Sequence, residues 1–126
     1  MKVWLLSLCF LLFFLIGGYQ VQSSLNRIAD QLNQQLGEVE LKLSSKDWDQ
    51  SLSKLNSFRK NWEKIKPYWA VLSNHKEIDL LEESLTKTIG ATSCKSYVDA
   101  LIHLSVLRDS IKHIPEKERF SLINVF

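Results

Sequence analysis

From Leu25 onward apolar residues return every three or four positions, and that recurrence limits the chain's possible folds more than any other feature. Spacings of three and four hold side chains on one side of a helix, whereas a half-buried strand needs alternation by two. Leu25, Ile28, Leu32, Leu36, Val39 and Leu43 draw one such stripe. Asp47 precedes a second, formed by Trp48, Leu52, Leu55, Phe58, Trp62, Ile65, Trp69 and Leu72. A short carboxylate in that position caps a helix by accepting a first-turn N–H that has no partner of its own. Ile78, Leu81, Leu85 and Ile89 make a third stripe, and Tyr97, Ala100, Leu101, Leu104, Leu107, Ile111 and Ile114 a fourth. Four Gly, of which only Gly17 and Gly18 are adjacent, and two separate Pro are too few for a turn-rich β protein. The expected class is all-α.

The breaks between stripes are less sharply marked. Pro67 is expected to kink or end the second helix, since proline lacks an N–H and its ring crowds the carbonyl four residues back. Ser73 and Asn74 offer another break, with Asn74 and Glu77 spaced as the two members of a capping box. The chain reversal therefore falls between Lys66 and His75. Gly90 and the polar Thr92, Ser93 and Cys94 are expected to end the third helix, and Pro115 the fourth. An echo runs through the sequence at an offset of 49, in which Lys46, Trp48, Leu52, Leu55, Phe58, Arg59 and Trp62 match Lys95, Tyr97, Leu101, Leu104, Leu107, Arg108 and Ile111. Both a helical-hairpin repeat and the chance agreement of two amphipathic helices produce such a pattern.

Ahead of the stripes, Val3 to Ile16 carries no charge, and Gly17 to Val21 extend the run without one. As a helix, Val3 to Val21 reaches about 28 Å, close to the hydrocarbon thickness of a bilayer. Its eleven Val, Leu, Ile and Phe between Val3 and Ile16 each favour insertion, by roughly 0.3–0.6 kcal/mol at the helix centre. A signal peptide has a similar outline, but no Ala-x-Ala-like cleavage pair follows the run, so an uncleaved anchor is the preferred reading. Cys9 comes too early for a lipoprotein box. Lys2 and the amino terminus place the N-terminus in the cytoplasm by the positive-inside rule, with the remaining domain outside. The chain thus divides into an anchor, residues 1–21, and an extracytoplasmic helical domain, residues 22–126. The expected architecture is an N-terminal transmembrane helix followed by a small antiparallel bundle of three to four helices.

Sixteen Lys and Arg are interleaved with fourteen Asp and Glu, so no basic block tracks a phosphate backbone and nucleic acid is not an expected partner. Cys9 lies in the apolar run and Cys94 between helices, so no disulfide is expected. Neither HExxH, CxxC, a nucleophile elbow nor a phosphate loop occurs in the sequence, and the chain is read as a non-enzyme with no cofactor.

The densest polar cluster is HKEID, His75 to Asp79, followed by Glu82 and Glu83. His75, Asp79 and Glu82 are the candidate metal ligands, because one helical turn separates neighbours in that series. His75 also continues the apolar stripe between Val71 and Ile78, which predicts a histidine packed inward. His103 follows Asp99 and His113 follows Asp109 by one turn, the spacing of surface ion pairs. Trp62 and Trp69, interleaved with Arg59, Lys60, Lys64, Lys66 and Tyr68, are candidates for partner or headgroup contact, although their seven-residue spacing makes them core positions first. Phe120 and Phe126, in an unusually apolar C-terminal stretch, are the other partner-binding candidates; docking of that stretch on the bundle is the plainer expectation.

Several of these segments, the apolar N-terminus, the helix bearing Trp62 and Trp69, HKEID at 75–79 and HIPEKE at 113–118 before Asn124, resemble a bacterial domain-of-unknown-function family, number 4363. The resemblance covers most of the chain and implies a small membrane-anchored helical protein without supplying an activity. Pro67 departs from the family pattern. The functional expectation is an extracytoplasmic protein-interaction module, held to the membrane by residues 3–21 and binding a protein of the membrane or envelope. The alternative is a metal- or ligand-binding sensor centred on HKEID.

Overall fold

The computed structural model describes residues 2–125, and the side chains of all of these except 21, 22, 72 and 114–125. Four helices follow one another: α1 (Lys2–Ser44), α2 (Trp48–Leu72), α3 (His75–Ser93) and α4 (Tyr97–Val125). The all-α expectation is met. The apolar run and the first stripe form one unbroken helix of 43 residues. Gly17 and Gly18 do not interrupt it, and no glycine among the described residues has a positive φ.

Each helix packs on its neighbour in sequence, and α4 closes back on α1. The connections are too short for anything but reversal of direction, so successive helices run antiparallel. Their stripes meet in one core. From α1 come Leu25, Ala29, Leu32, Leu36, Val39 and Leu43, and from α2 Leu55, Phe58, Trp62 and Trp69. Ile78, Leu81 and Leu85 enter from α3, and Ala100, Leu104, Leu107 and Ile111 from α4. Trp62 and Trp69, one above the other on α2, meet edge to face with centroids 5.5 Å apart. Lys54 and Asn61 of α2 reach Glu38 and Gln35 of α1 at 3.2 and 3.3 Å, fixing the antiparallel register.

One part of the core is polar. Ser84, Thr88 and Thr92 of α3 are buried beside Leu81 and Leu85. Each hydroxyl donates to the carbonyl four residues back, at 2.8, 2.7 and 2.7 Å. Local bonding of this kind allows a small hydroxyl to sit in a core at no cost in unpaired groups.

The helix ends are where sequence and structure differ most. Pro67 neither ends nor divides α2, which runs on to Leu72. The carbonyl it leaves without an amide partner belongs to Glu63, and both residues are exposed, so water can replace the missing bond. Pro115 likewise lies inside α4, which continues to Val125. The Glu116–Arg119 segment behind it consists of good helix formers. α3 ends at Ser93 with Cys94 as its cap, inside the polar stretch after Gly90 expected to end it. The break at Ser73 and Asn74 is where expected: the Asn74 side chain accepts from the Lys76 amide at 3.2 Å. Asp47 caps α2 in the same manner, accepting from Gln50 at 3.3 Å.

The turns at 42–47 and 91–96 share one set of bonds. After α1, the Lys46 amide donates to Leu43 and the Asp47 amide to Lys42; after α3, Lys95 donates to Thr92 and Ser96 to Ala91. These are the paired bonds of a Schellman motif, repeated at the same 49-residue offset as the sequence echo. Lys46 and Lys95 both hold φ of 57°, a left-handed conformation that costs a residue with a Cβ about 1–2 kcal/mol. Lys95→Gly is therefore expected to stabilise the fold by about 0.5–1 kcal/mol once glycine's extra unfolded-state freedom is subtracted. A raised thermal midpoint would show it. Lys46→Gly should gain less, since the Lys46 ammonium stands 5.6 Å from the centre of the Tyr97 ring, where it links the two turns.

Candidate functional site

The polar residues singled out from the sequence do not converge. His75 occupies the first position of α3 and is exposed, as is Asp79. The expectation that His75 packs inward fails because the turn at Ser73–Asn74 resets the helical phase; Val71, its predecessor in the stripe, is 84% exposed. Glu82 is turned the other way, toward α2. Its Oε1 meets the Lys66 ammonium at 2.6 Å and accepts from the Trp62 indole N–H at 3.4 Å. No group of three His, Cys, Asp or Glu side chains placed to hold a metal ion occurs among the described residues.

The hydrogen bond to Glu82, followed by its charge, holds the Lys66 ammonium above its ordinary 10.5. A raised folded-state value means the pair contributes fully below the unfolded lysine range and is lost as pH climbs through the raised value. Lys66→Met is accordingly expected to flatten the alkaline fall of the thermal midpoint. Exposure keeps the effect small. Glu83 is held below the usual carboxylate range by its hydrogen bond to Lys87, 2.8 Å away.

The remaining histidines do not make the ion pairs their spacing suggested. The His113 ring meets the Asp109 backbone carbonyl at 2.7 Å. The Asp99 carboxylate accepts from the Ser96 hydroxyl at 2.8 Å, in the manner of a helix cap. Cys9 and Cys94 are both free and exposed.

Trp62 and Trp69, considered for partner contact, are 1% and 0% exposed and belong to the core. The Trp69 indole N–H lacks a hydrogen-bond partner. Phe120 falls among the residues whose side chains lie outside those described, Phe126 lies outside them altogether, and the proposed docking of the C-terminal stretch falls there too.

A depression follows α1 from Asn26 to Leu41 and is bordered by Arg108 and Lys112 of α4. Arg108 is paired with Glu40 across the helix interface. The described lining supplies carboxylates, amides and cations, with no histidine, serine or cysteine among its described residues.

What the structure leaves uncovered is apolar. Fourteen residues from Val3 to Ile16 are exposed around the whole circumference of α1, with Trp4 at 84% and even Leu12 at 50%. This is the one helix, among the described residues, long and apolar enough to cross a membrane. A second, smaller surface is the stripe Val98, Ile102 and Val106 on the outside of α4, each four residues from the next. The sequence signalled the first through its lack of charge. The second lies opposite the buried stripe of α4 and was missed, although its spacing of four was readable.

No curated protein and no solved structure matches this chain. A family model does match, over residues 19–125, beginning where the apolar run gives way to the packed helices, and the chain belongs to that family, the domain of unknown function DUF4363.

Proposed function

We propose that the chain is a membrane-tethered protein-interaction module, with residues 3–21 as a single-pass anchor and the four-helix bundle as an extracytoplasmic domain. The observation that carries the tether is the exposure of every residue from Val3 to Ile16. A helix that is hydrophobic all round and packs against nothing has a natural solvent in lipid, where its backbone bonds are already satisfied. Lys2, ahead of the run, favours a cytoplasmic N-terminus.

The interaction reading is supported by an apolar stripe, Val98, Ile102 and Val106, exposed on the outside of α4. Isolated apolar residues on a surface are ordinary, but a stripe along one helix is the shape that enters a partner's groove. No observation favours the metal- or ligand-sensing alternative, because Glu82 is committed to Lys66 and Trp62.

Two measurements test the proposal. Alkaline extraction of membranes should leave the full chain in the pellet, and recovery in the supernatant would remove the tether. Crosslinking in the native membrane should capture a specific protein partner, and capture should fall when Ile102→Asp is introduced or residues 120–126 are removed. Equal capture by every variant, or none by the intact chain, would end the interaction reading.

A further inference from the structure

The continuity of α1 determines where the base of the bundle stands. Leu25 and Ala29 are already buried, so packing starts about one turn beyond Val21, with no linker between. From the turn after Ser44, α2 folds back antiparallel for 25 residues. The same count backward along α1 from Ser44 reaches Gln20. The last turns of α2 therefore stand level with the boundary of the apolar run.

The side chains that α2 presents outward at this level are unusual for a surface. Lys60, Lys64, Tyr68 and Val71 are spaced by four, four and three, which places them on one face, and all four are exposed. Tyr68 is 73% and Val71 84% exposed, and nothing in the bundle covers them. Between Arg59 and Leu72 the sequence contains four cations and a single carboxylate, Glu63. One of the cations, Lys66, is held by Glu82 on the side facing α3. Charge and apolarity are thus ordered along the face, with lysines away from the apolar boundary and Tyr68 and Val71 at it.

We propose that this face of α2 is a second membrane contact, in which Tyr68 and Val71 enter the interfacial layer and Lys64 and Lys60 meet anionic headgroups above them. The proposal rests on the tether reading and adds a fixed orientation to it. Tyrosine is favoured at the membrane–water boundary because its ring is apolar and its hydroxyl is wet. Val71 adds apolar area at the tip. Lys64 lies about 10 Å along the helix from Val71, within reach of the headgroup layer for a lysine with an extended stem. Lys60 lies about 16 Å along, where the attraction of an anionic surface is weaker but still present at moderate salt.

The test uses the full chain carrying Cys9→Ser and Cys94→Ser, reconstituted into phosphatidylcholine vesicles with or without phosphatidylglycerol. An environment-sensitive fluorophore is attached through a single cysteine introduced by Val71→Cys, Leu12→Cys or Ile102→Cys. The label at position 71 should emit blue-shifted light and be quenched most by lipids spin-labelled close to the headgroup. The corresponding depth is about 5–10 Å into the headgroup and acyl boundary. Phosphatidylglycerol should deepen the quenching, and Lys60→Glu with Lys64→Glu should abolish that dependence. The label at position 12 should be quenched by deeply spin-labelled lipid, and the one at position 102 by neither.

If position 12 is quenched while position 71 behaves like position 102, the tether stands and the second contact is refuted. Absence of quenching at position 12 removes both together. A blue shift at position 71 without quenching by any lipid means that protein covers the tip, which also overturns the proposal.

Discussion

Trp69→Ala is expected to cost the bundle about 3–5 kcal/mol, the range for removing a fully buried large aromatic. A helical domain of this size has about 5–15 kcal/mol in all, so the variant should lose a large share of its stability, reaching unfolding only at the low end of that range. The cause is specific. Trp69 is wholly buried and its ring stands edge to face against Trp62, so the truncation leaves a cavity and also strips Trp62 of its aromatic neighbour, worth about 0.5–1.5 kcal/mol more. Urea denaturation of the full chain in mild detergent, followed by circular dichroism, measures it. A loss under about 1 kcal/mol would mean that the core does not depend on this pair.

Conservative replacements should separate the two tryptophans. The Trp69 indole N–H is buried without a partner, a situation that costs about 1–3 kcal/mol, and phenylalanine does not carry that group. Trp69→Phe should therefore recover most of the stability lost in the alanine variant. Trp62→Phe should recover less, because it deletes the N–H that reaches Glu82 and leaves that carboxylate with Lys66 alone.

Leu8→Arg combined with Leu12→Arg is expected to release the chain from membranes. Each substitution replaces a contribution of about −0.3 to −0.6 kcal/mol with one of about +2.5 to +3.5, so the pair costs roughly 6–8 kcal/mol. The eleven apolar residues of the run together favour insertion by roughly 3–7 kcal/mol on the same scale, and the two arginines offset that total. Both positions are exposed and far from the packed helices, so helix content and thermal midpoint should hardly change. Sedimentation after alkaline extraction reads the outcome. Retention in the pellet at the level of the parent chain would show that this run is not what holds the protein there.

The stripes were legible because helical burial has a period, and the period is written in the sequence. Leu32, Leu36, Val39, Leu43, Leu55, Phe58, Leu81, Leu104 and Leu107 are buried where their spacing put them. The punctuation was not legible to the same degree. Pro67 and Pro115 are local signals, each worth at most a few kcal/mol, and neither ended a helix where it stands. Lys95, rather than Gly90, supplies the left-handed residue after α3, although lysine gives no such signal by itself. Only the echo of Lys46 at the 49-residue offset pointed to it.

The polar clusters misled for a related reason. His75 looked inward because Val71 and Ile78 flank it at helical spacing, but two helices meet between them and the face is not continuous. Ser84, Thr88 and Thr92 were not singled out as core positions, although their spacing of four lies in phase with Leu81 and Leu85; their hydroxyls find partners within the helix itself.

Because one helix serves both the apolar run and the core, the two are coupled mechanically as the ends of a shaft are. A single residue inserted between Gly18 and Leu25 would turn the bundle by about 100° and raise it by about 1.5 Å, without altering any contact inside either part. The azimuth of every face on the bundle is therefore set by counting residues from the apolar run, so twisting one end is geometrically the same act as re-aiming the other.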